Sequence, residues 1–168
     1  MTLRMAIGLG GSGHDADARL EAAMGGLVEL GRVVGRSPRY ANPAWGGVTR
    51  APFVNACAIV ETVLPPAGAM VVLRRLESDH GRLRATKNAS RTLDLDLVWW
   101  TSPVASRSSV STSLLVPEVP HPRLMDRSFV LVPLIDALLA AKMTIPTPLV
   151  AAAAKRRWCA RLRPVSTS

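Results

Sequence analysis

Arg91-Thr92-Leu93-Asp94-Leu95-Asp96-Leu97 places two carboxylates one residue apart inside a run that otherwise reads as a buried strand. Successive strand side chains point to opposite faces, so Asp94 and Asp96 share one face, roughly 6.5 Å apart along the backbone, while the leucines fill the other. Two like charges on one strand face need a cation, a basic partner or water, because an unpaired buried charge costs about several kcal/mol. A solvated strand whose acid face is simply wet is the alternative reading of the triplet. The strand continues to Trp100.

Working outward, Leu3 to Leu9 reads as a first strand ending at the cluster Gly8-Leu9-Gly10-Gly11-Ser12-Gly13. From Asp15 the apolar positions Leu20, Ala23, Met24, Leu27 and Val28 recur at helical spacing up to Gly31. Arg32 to Tyr40 reads as a second strand, Ala41 to Pro52 as a Gly- and Pro-rich loop, and Phe53 to Val63 as a third strand. Pro65-Pro66 opens a second helix over Ala67 to Asp79, and Gly81 stops it. The acid-bearing strand is the fourth. Thr101 to Ser113 is a Ser-rich insertion, and Phe129 to Ala141 is apolar enough for a final core helix. Strand, helix, strand, strand, helix, strand predicts an α+β, ferredoxin-like fold: an antiparallel four-stranded core sheet with helices packed on one face and the other face free for a site.

The chain has 168 residues, which fits one domain, assigned to 1–141. Residues 142–168 form a basic tail with a helical pattern or a frayed terminus. Lys and Arg total 21 against 12 Asp and Glu, a formal charge of +9, so an anionic partner is expected. Nucleic acid is disfavoured by the scarcity of aromatics and the lack of a zinc spacing, a helix-turn-helix signal or a continuous basic block; a small polyphosphate fits as well. Cys57 and Cys159 imply no disulfide framework, and Cys57 lies in an apolar run where a buried thiol is expected. No stretch reads as a membrane span or leader, which predicts a soluble, cytoplasmic protein, monomeric or weakly dimeric.

Two constellations carry chemistry. Gly8-Leu9-Gly10-Gly11-Ser12-Gly13 fits a dinucleotide-binding fingerprint, yet the strand after it ends in Arg36-Ser37-Pro38-Arg39 without the acid that would read a ribose, and a tight turn needing small residues explains it better. Around the aspartates, Arg82, Arg84, Lys87 and Arg91 precede and His121, Arg123 and Arg127 follow. Carboxylates for Mg²⁺ beside bases for phosphate are the parts phosphoryl-type transfer needs. Surface salt bridges beside an acidic strand are the alternative.

The ordered set Phe53-Val54-Asn55-Ala56, Glu77 with Gly81-Arg82-Leu83-Arg84, Arg91 to Asp96 and Pro120-His121-Pro122-Arg123 through Leu134 resembles the 6-hydroxymethyl-7,8-dihydropterin pyrophosphokinase family over roughly residues 5 to 137. The resemblance implies a ferredoxin-like fold and transfer of pyrophosphate from ATP to the pterin hydroxymethyl group, releasing AMP, in folate biosynthesis. It implies two Mg²⁺ ions on Asp94 and Asp96, with Arg82 and Arg91 closing over the phosphates. It places Arg74, Glu77, Arg84, Leu97, His121 and Arg127 around the nucleotide, and Pro43, Gly46, Phe53, Asn55 and Phe129 around the pterin. The partners it implies are small molecules alone. The chain departs from the family at Lys87-Asn88-Ala89-Ser90-Arg91, which stands where an Arg-Trp-Gly-Pro-Arg is usual and is one residue shorter from Gly81, and at Asn42-Pro43-Ala44 in place of Thr-Pro-Pro. These changes leave open a paralogue acting on another pterin, or a non-catalytic pterin- or nucleotide-binding protein.

Overall fold

The long strands alternate two sets of apolar residues, and each set is buried in a different core. The structure, a computed structural model, describes residues 2–42, 53–80, 93–101, 124–155 and 163–164. Its strands are β1 (Leu3–Ser12), β2 (Arg32–Arg36), β3 (Tyr40–Asn42), β4 (Phe53–Thr62), β5 (Asp94–Thr101) and β6 (Arg163–Pro164). Helices α1 (Ala16–Gly26) and α2 (Pro66–Asp79) precede β5, and α3 (Ser128–Ala140) and α4 (Thr147–Lys155) follow it. The sheet is antiparallel in the order β5-β1-β4-β3-β6, with β2 also paired to β4.

The second strand expected from sequence is interrupted. β2 pairs with the far half of β4 and β3 with its near half, so the two act as one strand broken at Ser37-Pro38-Arg39. Pro38 has no N–H to give a ladder, and Ser37 supplies the bonds instead: its N–H donates to the Cys57 carbonyl at 2.9 Å, and the Cys57 N–H donates to Ser37 Oγ at 2.9 Å. With that break counted as internal, β5, β1, β4 and the β2–β3 pair form the expected ferredoxin-like sheet.

Met5, Ile7 and Leu9 of β1, Val54, Ala56, Ala58 and Val60 of β4, and Leu93, Leu95 and Leu97 at β5 bury one face against Leu20, Ala23 and Met24 of α1 and Leu73 and Leu76 of α2. The opposite face, through Ala6, Cys57, Ile59 and Val98, packs on Leu131, Leu134, Ala137 and Leu138 of α3 and on Leu149 of α4. The helices of the ferredoxin-like unit thus share one face, as the element order implies, but the second face is not left free: α3 and α4 cover part of it. α3 is apolar around most of its circumference, and such a pattern signals burial without saying against which face. Cys57 is a free, fully buried thiol in this second core, and burial pushes its pKa up.

β1 runs through the glycine cluster rather than stopping before it, and the turn into α1 comes at Gly13, whose φ of +104° suits glycine. Gly8 and Gly10 are paired to β4 on one side and β5 on the other, so the GxGxxG match is a central strand and not a phosphate-binding turn. At the other end of the sheet Glu61 accepts from Arg32 Nη2 at 2.8 Å and Arg4 Nε at 3.1 Å, a row across β2, β4 and β1 that holds its carboxyl below the usual range. Among the described residues no helix is long and apolar enough to cross a membrane.

Candidate active site on the half-open sheet face

Strand register lines up the polar residues that the second core does not use. Tyr40 of β3 lies opposite Asn55 of β4, Asn55 opposite Gly10 of β1, and Gly10 opposite Asp94 of β5. One row along, Cys57, Gly8 and Asp96 line up in the same way. The period of two puts Asn55, Gly8, Gly10, Asp94 and Asp96 on the face that α3 and α4 partly cover. Two strand spacings, about 10 Å, separate the Asn55 row position from the aspartates, and between them lie only glycines. A Cβ on Gly8 would meet Val98 Cγ2 at 2.8 Å, and one on Gly10 would meet Asn55 Oδ1 at 3.2 Å, so side chains there would fill the floor of the groove.

Asp96 is exposed and Asp94 half-buried, beside buried Leu95 and Leu97. Glu77 of α2 is 4% exposed and its Oε1 accepts the Leu95 N–H at 2.8 Å, fastening the residue between the two acids. It shares the buried side of α2 with Leu73 and Leu76, and an acid on an apolar helix side is the sequence signal for such a bond. Leu97 faces the core with α1 and α2, so its side chain is directed away from the aspartates and its main chain alone is left to meet a ligand. Arg74 is exposed on α2.

Asn55, 9% exposed, donates from Nδ2 to Asn42 Oδ1 at 2.6 Å. Phe53, half-buried, begins β4, and Phe129, also half-buried, sits in the first turn of α3 with the Arg127 guanidinium 5.8 Å from its ring centroid. Pro43, Gly46, Arg82, Arg84, Arg91 and His121 lie outside the described residues, as does the Ser-rich insertion apart from Thr101, which ends β5 instead.

Sequence reading passed over Tyr40, Asp136 and Asn42. The Tyr40 hydroxyl donates to Asp136 Oδ2 of α3 and ties β3 to the covering helix. Burial first, then that bond, raises its pKa from 10.0 to about 12. A tyrosine with a raised folded-state pKa adds stability that is complete below its unfolded value and is lost as pH rises through the folded one. Tyr40 is the only tyrosine in the chain, so its tyrosinate absorbance titrates alone. The expected midpoint is about 12 while circular dichroism remains native; a midpoint near the ordinary 10.0 would mean that Tyr40 is neither buried nor bonded to Asp136 as described.

A cavity of about 320 Å³ lies on the other face of the sheet, between α1 and the β2–β3 connection, over Leu20, Met24 and Ala56. Its arginines are committed, Arg39 to Asp17 and Glu21 and Arg36 to Glu21, and the sheet separates it from the aspartates.

Among the described residues no group of three or more His, Cys, Asp and Glu forms a metal cluster. Asp94 and Asp96 nevertheless suit Mg²⁺, a hard ion commonly held by one or two carboxylates with substrate phosphates and water completing its shell.

Comparison with known proteins agrees with this arrangement. Residues 6–140 match the family model of 7,8-dihydro-6-hydroxymethylpterin-pyrophosphokinase. A 2-amino-4-hydroxy-6-hydroxymethyldihydropteridine pyrophosphokinase of Methylorubrum extorquens is 34% identical over 135 residues, covering 79% of this chain and 81% of that protein. Proteins of the same name from Haemophilus influenzae and Mycobacterium bovis are 29% and 31% identical, covering 83% and 84% of this chain and 83% and 76% of their own lengths. The matched span runs from within β1, at Ala6, to the end of α3, with Asn55, both glycines and both aspartates, and the chain belongs to the 7,8-dihydro-6-hydroxymethylpterin-pyrophosphokinase family.

Proposed function

We propose that this chain transfers pyrophosphate from ATP to the hydroxymethyl group of 6-hydroxymethyl-7,8-dihydropterin, giving the pterin diphosphate and AMP. The observation that carries the reading is the row Asn55, Gly10, Asp94 with Asp96 beside it, an amide and two acids on one sheet face with glycines at the β1 positions between them. In this reading Asn55 takes the polar edge of the pterin, since an amide can both donate and accept. Phe53 and Phe129 supply flat apolar area for its ring. Asp94 and Asp96 would hold two Mg²⁺ ions, which when bound neutralise the triphosphate and make the β-phosphorus more electrophilic.

The substrate hydroxyl oxygen forms the new bond to that phosphorus, the bond to the α-phosphate bridging oxygen breaks, AMP departs, and the hydroxyl proton is released. Arg82, Arg84, Arg91, His121 and Arg127 are the cationic groups assigned to the phosphates, with Arg74 and the Leu97 main chain towards the nucleoside. Glu77 serves the same site by fastening Leu95. The reading puts the enzyme in the cytoplasm, as a monomer or weak dimer with small-molecule partners; the free buried thiol of Cys57 is compatible with a reducing compartment.

The test is incubation of the pure protein with ATP, Mg²⁺ and 6-hydroxymethyl-7,8-dihydropterin, with AMP and the pterin diphosphate measured by mass. AMP formed in step with the diphosphate is the expected result. Pterin binding without AMP would refute the reading in favour of a binding protein, and turnover confined to a different hydroxymethyl pterin would reassign the substrate.

A further inference from the structure

We propose that Tyr40 is a positioning residue for pterin binding: by bonding its hydroxyl to Asp136 of α3 it holds that helix, and Phe129 with it, at a fixed place over the row that runs from Tyr40 through Asn55 and Gly10 to Asp94. The inference rests on the pterin reading above and deepens it.

The two sides of the site belong to separate elements. β3 and β4 carry Tyr40, Asn55 and Phe53, whereas Phe129 stands in the first turn of α3. α3 rests on the sheet through Leu131, Leu134, Ala137 and Leu138, and apolar contact of that kind is non-directional, so it resists lifting more than sliding. A hydrogen bond has a preferred direction and supplies what the apolar contact lacks. Phe129 and Asp136 are seven residues apart, two helical turns, so both lie on the same side of α3 at a separation of about 10 Å. Pro133 between them gives no N–H to the Phe129 carbonyl, yet α3 runs unbroken from Ser128 to Ala140 with Pro133 buried, so a displacement at Asp136 is carried to Phe129. On the sheet side, Tyr40 is directly opposite Asn55, and its acceptor is a carboxylate, which strengthens the bond. β3 needs such a hold, because it has only three residues and is cut off from β2 at Ser37-Pro38-Arg39. The preceding residue, Arg39, pairs with Asp17 and Glu21 of α1 on the opposite face. The strand is therefore pinned from both faces, and only the Tyr40 pin reaches α3. A planar ligand entering between walls already in place loses less freedom on binding than one that must gather them.

The experiment compares the unaltered protein with Tyr40→Phe, Asp136→Ala, Asp136→Asn and Arg39→Ala. Pterin affinity is read by fluorescence titration, turnover by AMP formation, and stability by thermal melt. Tyr40→Phe and Asp136→Ala are each expected to raise the pterin Kd and KM about tenfold, with kcat and the KM for ATP little changed. The double variant is expected to be no worse than either, because both changes remove the same contact. Asp136→Asn keeps a carbonyl oxygen to accept the hydroxyl and is expected to bind pterin as the unaltered protein does. Arg39→Ala loosens β3 from the other face, and is expected to lower the melting temperature while leaving the pterin KM where it was. Unchanged pterin affinity in Tyr40→Phe, or additive losses in the double variant, overturns the inference alone. So does a rise in pterin KM for Arg39→Ala as large as for Tyr40→Phe, since strand stability would then account for the effect. Should Tyr40→Phe fail to fold, the Asp136 pair decides: equal pterin affinity in Asp136→Ala and Asp136→Asn overturns the inference. Failure of the unaltered protein to bind pterin overturns the functional reading as well, which separates the two failures.

Discussion

Asp94→Ala and Asp96→Ala are each expected to lower the rate of AMP formation by about 10³-fold, with the fold retained. The magnitude follows from the several kcal/mol of charge stabilisation that metal-holding carboxylates support in phosphoryl-type transfer. Retention of the fold follows from position: Asp96 is exposed and Asp94 half-buried, while the hold of β5 on the core comes from Leu95 and Leu97 on the other face and from the Glu77 bond to the Leu95 N–H. The measurement is initial rate at saturating ATP and Mg²⁺, with a thermal melt to show that each variant folds. Folded variants with full activity would remove the two acids from the mechanism. Loss of folding in both would mean instead that the acids hold β5 in place.

Gly35→Ala is expected to be strongly damaging to stability, lowering the melting temperature by about 10 °C. Gly35 of β2 lies directly beneath the C-terminal end of α3: a Cβ there would come within 2.4 Å of the Ala137 carbonyl oxygen and 2.7 Å of the Ala141 Cβ. Both neighbours are backbone or stub side chain, so neither can rotate away. Either helix or strand must move, at a cost of about 3 kcal/mol, the upper part of the usual range for overpacking. Since α3 also carries Asp136, which holds Tyr40, and Phe129, displacement should weaken pterin binding along with stability. An unchanged melting temperature would show that α3 does not rest on β2 as described.

The parts of the fold legible in the sequence are those governed by side-chain period. Leu93, Leu95 and Leu97 against Asp94 and Asp96 identified a strand with one buried and one polar face, and the structure begins β5 at Asp94. α2 was equally clear, from the proline at its start to its end at Asp79. β1 was underestimated because glycines give no alternation to read, and its pairing on both sides, which fixes Gly8 and Gly10 as strand residues, is a long-range fact. The placement of α3 was hidden for the opposite reason, that nearly every position in Phe129 to Ala140 is apolar.

In the site, Asn55 and the acids could be singled out by type, and register brings them onto one face. Asn42 and Tyr40 could not, since what makes them matter is a diagonal neighbour across strands and a helix from ninety-odd residues further on. Leu97 follows the same parity rule that singled out the acids: two positions from Leu95, it belongs with the core leucines.

The bond from Glu77 to Leu95 also uncouples the acid-bearing strand from the connection that precedes it. It joins the end of α2 to the start of β5, so the departure and return points of the connection between them are fixed relative to each other by a buried carboxylate and a main-chain amide. Insertions, deletions and substitutions within that connection need not shift the strand by a residue, which would turn both acids into the core. A change in the length or composition of residues 81–92 would therefore leave Asp94 and Asp96 on the same face of β5, because the anchor that fixes the strand lies outside the changed segment.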